Sequence, residues 1–316
     1  MERIEQIISR ISNWANKRND IKCIINFGSL SMNTKDQFSD IDIMIFCSNP
    51  ELLLNDNNWI SDISPFKISY TSKSMIESMP TKKVVFSNYV ELDIVPINYK
   101  EIYKALYFAK IFKTPIYKFI PKTTATEIEN NIRAFNNYTS KGLNYFVDKN
   151  NYVKKIKYIS ETFPLINDEI DISMVKENYN SFFHLLIQEA IKIERRELYA
   201  SKECAEYFSK CNLREMIEWY MKLKKGNDYN TFCNGKKLEY WCEKEVVKEM
   251  SNIYGQLNYE SCKNSLYSTL QLYNHITLNV LSLLNSDLTK YEETKDFTIK
   301  QVNNIFNANR IIKSQN

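Results

Sequence analysis

From residue 4 to residue 15 apolar side chains return every three or four positions: Ile4, Ile7, Ile8, Ile11 and Ala15. That spacing predicts an amphipathic helix with one buried stripe. The pattern then changes. "KCIINF" (22–27) is a short apolar run closed by Gly28-Ser29, and "IDIMIF" (41–46) is a second; both have the length of buried strands. Asn49-Pro50-Glu51 predicts a helix start, with Asn49 as the cap and Pro50 in the first helical position. "FKISYT" (66–71), "KVVFS" (83–87) and "YVELDIVPI" (89–97) carry the β-branched and aromatic residues of further strands. "SKSMIESMP", lying between two of them, predicts one short helix.

Beyond about residue 100 the period becomes helical almost throughout. Phe182, Phe183, Leu186, Ile187, Ala190 and Ile191 form one stripe, and Leu266, Leu270, Tyr273, Thr277, Leu281 and Leu284 another. Segments 126–147, 203–224 and 239–254 carry weaker helical patterns, 225–236 with Gly226 and Gly235 predicts a long loop, and the polar last 30 residues predict no element. Strands mixed with helices, followed by helices alone, predict an α+β fold: an N-terminal domain with a mixed sheet, then a C-terminal helical bundle. Pro121 and the Thr run after it place the boundary between residues 1–120 and 121–316.

Composition narrows the class. A chain of 316 residues with a 44% hydrophobic share is long enough for two ordinary domains. No apolar run approaches the roughly 20 residues that cross a bilayer, and the charged N-terminal helix is no secretion signal. A soluble, cytoplasmic protein is expected, without a membrane partner. The net charge of +4 falls short of a nucleic-acid binder's basic footprint, and "KKIKY" (154–158) and "KLKKG" (222–226) are isolated clusters of solvated helix faces. Seven cysteines without a Cys-x-x-Cys pair, and only His184 and His275, argue against disulfides and against a zinc centre.

The candidate chemistry lies in "NFGSLSMNTKDQFSDIDIMIF" (26–46). In a strand side chains alternate, so Asp40 and Asp42 share one face while Ile41, Ile43 and Ile45 enter a core. Two adjacent carboxylates repel each other unless a cation joins them, and a hard divalent ion such as Mg²⁺ suits an oxygen-rich pair. Asp93, between Leu92 and Ile94, is a third acid in an apolar run, a costly place for a lone charge. If its strand lies beside 41–46, the three acids form a cluster able to hold two Mg²⁺ ions, the clamp used for in-line displacement at phosphorus. Gly28 allows a sharp turn and a close approach to a ligand. Ser29 then offers free backbone N–H groups and a hydroxyl to phosphate oxygens. Together these residues predict a nucleoside triphosphate site.

Gly-Ser, a spacer, Asp-x-Asp and a later third Asp resemble the motif of the nucleotidyltransferase superfamily with the polymerase β-like palm. Within it the chain resembles the aminoglycoside 6-adenylyltransferases, or streptomycin adenylyltransferases, through "KDQFSDIDI" (35–43), "ELDIVPI" and "FNNYTSKGL" (135–143). The resemblance is strong over roughly residues 1–100 and patchy beyond. It implies transfer of AMP from ATP to a hydroxyl of an aminoglycoside, with pyrophosphate leaving. On that reading Gly28 and Ser29 hold the β- and γ-phosphates, and Asp40 and Asp42 bind the metals. Asp93 ligates the second metal or takes the proton of the attacking hydroxyl. Glu91, two residues earlier on the same strand face, competes for the role of base. Lys141 is a candidate phosphate contact from the helical, substrate-binding domain.

There are departures. Leu30 stands where the resembled family carries Arg straight after Gly-Ser, and Asn and Tyr replace aromatic and basic residues around "FNNYTSKGL". A polycationic acceptor calls for spare carboxylates, and Glu77, Glu91, Glu127, Glu129 and Glu194 are candidates. The same chemistry on a lincosamide, a protein side chain or an RNA 3′ end is the first alternative. A sugar-nucleotide glycosyltransferase using Asp-x-Asp, and a degenerate nucleotide-binding module, are the others. The expected assembly is a monomer or weak dimer.

Overall fold

The computed structural model describes residues 2–28, 38–73, 79–139, 143–164, 169–232 and 234–313. Backbone contacts divide the chain into two compact units, residues 1–166 and 167–316.

The first unit is built on six strands: β1 (Ile21–Phe27), β2 (Ile41–Cys47), β3 (Phe66–Lys73), β4 (Pro80–Phe86), β5 (Glu91–Asn98) and β6 (Asn144–Asp148). They form one sheet in the order β3-β4-β5-β2-β1-β6. β2 and β5 run parallel, and the remaining neighbours are antiparallel. The sheet is mixed, as the strand and helix pattern predicts. β1 and β2 read as continuous apolar runs because helices cover both of their faces. On one face Ile24, Ile41, Ile43, Ile45, Leu92 and Ile94 pack against Ile4, Ile7 and Ile11 of α1 (Glu2–Asn16). Helices α2 (Pro50–Asn55) and α3 (Asn58–Ile63) add Leu53, Trp59 and Ile60 to this layer. Pro50 opens α2 as expected, although Asn49 makes no side-chain cap bond.

The opposite face carries Ile25, Met44, Phe46 and Val95 under α4 (Lys100–Phe112), α5 (Lys122–Thr139) and α6 (Tyr152–Thr162). The helix expected over 126–147 is shorter than predicted. It ends at Thr139, and Asn144–Asp148 instead pairs with β1 as the edge strand β6. Tyr145, Phe146 and Val147 favour a pleated surface over a helix, and Val147 is buried opposite Ile24. Within "SKSMIESMP", Lys73 ends β3 and Pro80 opens β4; the short helix expected between them lies outside the described residues.

The second unit is helical: α7 (Ile172–Glu194), α8 (Leu198–Ala200), α9 (Tyr207–Lys225), α10 (Leu238–Trp241), α11 (Lys244–Met250), α12 (Tyr259–Leu283) and α13 (Thr289–Lys313). A π-helical turn, Ser201–Glu206, leads into α9. Both stripes read from sequence face the core, with Ile187, Ile191 and Leu284 only half-buried. Phe182 of α7 stacks on Tyr273 of α12 with centroids 3.5 Å apart. Gly226, at φ +115°, ends α9 where the loop was expected. The polar C-terminal stretch, for which no element was predicted, is the helix α13, seated by Tyr291, Val302 and Phe306. Its apolar positions Ile299, Val302, Ile305 and Phe306 recur at helical spacing, but over only about two turns of an otherwise polar stretch. No described helix is long and apolar enough to cross a membrane.

Candidate active site

The pairing of β2 with β5 decides how the acids meet. The parallel register sets Asp42 opposite Asp93, so two residues 51 positions apart in sequence share one rung of the sheet. Alternation turns both toward the face that holds Met44, Phe46 and Val95, whereas Ile41, Ile43, Leu92 and Ile94 anchor the strands from behind. Asp40 lies just before β2 and converges on the same place. One carboxylate oxygen from each of Asp40, Asp42 and Asp93 lies within 4.8 Å of the others, and all three residues are half-buried. The donor set is all oxygen and all anionic, which fits a hard divalent cation and no soft metal.

Gly28 forms the second wall. It follows β1 directly and has φ +72°, a backbone state open to glycine at little cost. A Cβ at this position would overlap the Asp42 carboxylate, with its Cγ only 3.1 Å away. The absent side chain is therefore space that Asp42 occupies. Ser29, Leu30 and Lys141 lie outside the described residues, and so does Glu77.

A fourth charged group joins the rung. β4 pairs with β5 so that Lys83 faces Asp93, and Tyr70 of β3 faces Lys83. Tyr70, Lys83, Asp93, Asp42 and Phe27 thus run across five strands in one row. The Lys83 Nζ donates to Asp93 Oδ2 and forms an ion pair with it. Burial alone would lower the Lys83 pKa; the hydrogen bond to Asp93, with the charges of Asp93, Tyr70 and Asp42, outweighs it and raises it. Lys83 is a full cation at neutral pH. Its neighbour Lys82 points the other way and donates to the Leu54 carbonyl at 2.8 Å.

Sequence reasoning passed over Lys83, because "KKVVF" offers two adjacent lysines and only the register tells which one faces the acids. Glu91 opens β5 on the Asp93 side and is exposed; it is not one of the three clustered acids. Among the remaining acids proposed for a cationic acceptor, Glu127 is exposed. Glu129 accepts from the Tyr117 hydroxyl and Glu194 from the Tyr259 hydroxyl at 2.6 Å.

Comparison with known proteins supplies the family. A solved structure of an aminoglycoside 6-adenyltransferase from Bacillus subtilis is similar at 13% identity, covering 96% of this chain and 97% of that one, with a TM-score of 0.42. No curated protein matches the chain. The sequence profile of the streptomycin adenylyltransferase family matches residues 1–302. Nearly the whole chain, clustered aspartates included, falls within that match, and the protein belongs to the streptomycin adenylyltransferase family.

Proposed function

We propose that the protein is a Mg²⁺-dependent adenylyltransferase that moves AMP from ATP to a hydroxyl of an aminoglycoside and releases pyrophosphate. The observation that carries this reading is the meeting of Asp40, Asp42 and Asp93 beside Gly28. Membership of the family supplies the reaction class.

In the reaction, the acceptor oxygen bonds to the α-phosphorus as the bond from that phosphorus to the β-phosphate oxygen breaks. The hydroxyl proton passes to a carboxylate. Asp93 belongs to the cluster that would hold the divalent ions, and a carboxylate so held is a poor proton acceptor, so Glu91, exposed one alternation step earlier on β5, is the proposed base. Asp40, Asp42 and Asp93 would hold the divalent ions, two of them by analogy with the resembled superfamily. Bound there, such ions supply the positive charge that offsets the triphosphate and polarises its α-phosphorus. Gly28 brings the backbone close to the phosphates, and Ser29 follows it with a hydroxyl and N–H donors. Lys141 is assigned to the phosphates on the resemblance alone. Catalysis is assigned to residues 1–120 and substrate binding to residues 121–316. The proposed setting is the cytoplasm, where ATP is at hand, with the protein acting as a monomer or weak dimer on small molecules rather than nucleic acid.

A second reading keeps the chemistry and changes the acceptor. A cavity of about 540 Å³ lies under α4 and α5, lined by Phe46, Ile97, Ile102, Phe108, Ile132 and Phe135 among others. Phe46 and Ile97 sit four residues beyond Asp42 and Asp93 on the same strands and the same face. An apolar cavity suits an acceptor with a hydrocarbon portion, such as a lincosamide, better than a polycation. Purified protein with Mg²⁺-ATP and a panel of aminoglycosides and lincosamides separates the two readings by adduct mass. The aminoglycoside reading predicts a gain of one AMP on a streptomycin-class compound. A gain on lincosamides alone moves the acceptor, and no adduct with any acceptor contradicts the transferase reading.

A further inference from the structure

Lys83 is the one charged residue on the aspartate rung to which no role has been assigned. It reaches Asp93 from the neighbouring strand rather than from within the sequence motif. Its side chain is 36% exposed and that of Asp93 20%, so the pair sits at the boundary between core and solvent. There an ammonium can leave one partner for another without crossing a dry interior. An ammonium and a divalent cation seek the same carboxylate lone pairs. While Lys83 is on Asp93, it offsets one of the three clustered negative charges. A divalent ion that takes Asp93 displaces it, and a displaced ammonium on a flexible four-carbon stem seeks the nearest anion. A bound nucleotide brings phosphate oxygens to the site as such an anion.

We propose that Lys83 is a substrate-binding residue of this site: its ammonium guards Asp93 until a divalent cation arrives, then moves to a phosphate oxygen of the nucleotide. This deepens the function proposed above and rests on it. Lys82 cannot take over the task, since it is buried on the other face and held by the Leu54 carbonyl. The exchange leaves Lys83 paired at each stage. Without metal, it offsets one of the three acids; with metal and nucleotide, the cation takes over the acids and Lys83 offsets a phosphate charge.

The device has a signature that a merely structural lysine would not give. In Lys83→Met the empty-site competitor is gone, so Mn²⁺ binding without nucleotide, read by electron paramagnetic resonance, tightens about tenfold. Equilibrium affinity for a non-hydrolysable Mg²⁺-ATP analogue weakens about tenfold in the same variant. Lys83→Arg returns both values toward wild type. Lys83→Gln keeps a donor to Asp93 but drops the charge, and gives the same pair of opposed shifts if the Met variant does not fold. Mn²⁺ affinity that is unchanged or weaker in both neutral variants, or nucleotide affinity that is unchanged, overturns the proposal. A wild-type protein that binds no Mn²⁺, or an Asp42→Asn variant that binds it equally well, overturns the metal reading itself and Lys83 with it.

Discussion

Gly28 and Asp42 share one space: the carboxylate of Asp42 lies against the α-carbon of Gly28, where any Cβ would stand. The glycine is needed twice, for its left-handed backbone at φ +72° and for the room it leaves. Gly28→Ala should cost about 1–2 kcal/mol of stability from the backbone alone. It should cost activity far more, about 100-fold in kcat/KM, because a shift of about 1 Å in a carboxylate proposed to hold the cation misplaces the reacting groups. A thermal melt together with steady-state kinetics checks both. An alanine variant with wild-type turnover would remove Asp42 from the chemistry.

Glu91 carries the proposed role of base, and Asp93 that of ligand. Glu91→Gln should lower kcat about 100-fold or more and leave nucleotide affinity within about twofold. Asp93→Asn should weaken divalent-cation binding as well. If Glu91→Gln turns over normally and Asp93→Asn loses kcat alone, the two roles are reversed.

In the helical unit, Glu189 of α7 is 1% exposed. Burial, reinforced by the charge of Glu206, pushes its pKa up to about 8; Lys210, Lys202 and the Ser209 hydroxyl oppose the shift. From about pH 4.5 to about pH 8 the folded chain keeps a proton that the unfolded chain gives up. Stability attributable to this group is therefore complete below about pH 4.5 and declines as pH rises to about 8, by at most about 1.4 kcal/mol per unit. Glu189→Gln should flatten that slope in denaturant titrations, and an unchanged slope would contradict the assignment.

Tyr273 donates to Asn178 Oδ1 at 2.6 Å in the centre of the same unit. Tyr273→Phe should destabilise the protein by about 1–3 kcal/mol, since the buried amide oxygen loses its donor. A denaturation midpoint equal to wild type would show that the oxygen finds another.

How much of this was legible in the sequence depends on what each residue's neighbours reveal. Asp42 and Asp93 stood out because each interrupts a strand of isoleucine, leucine and valine, and a charge in such a run demands a partner. Their meeting needed β2 and β5 to be adjacent and in the register that sets Asp42 opposite Asp93. Lys83 was not legible, because the choice between it and Lys82 is made by the β4–β5 register, which no local pattern encodes. β6 was hidden by its position after a helix, and the role of Tyr145-Phe146-Val147 is set by β1 across the sheet. α13 was hidden for the opposite reason, since its few buried residues, Tyr291, Val302 and Phe306, are enough only because other helices receive them.

Diffraction at the manganese absorption edge, from crystals soaked in Mn²⁺ and a non-hydrolysable ATP analogue, tests the metal-bound triphosphate site directly. An anomalous peak enclosed by the carboxylates of Asp40, Asp42 and Asp93, touching the phosphates of the analogue, is the predicted result. Phosphates bound with no peak between those three side chains, or a peak held by other residues, would contradict it.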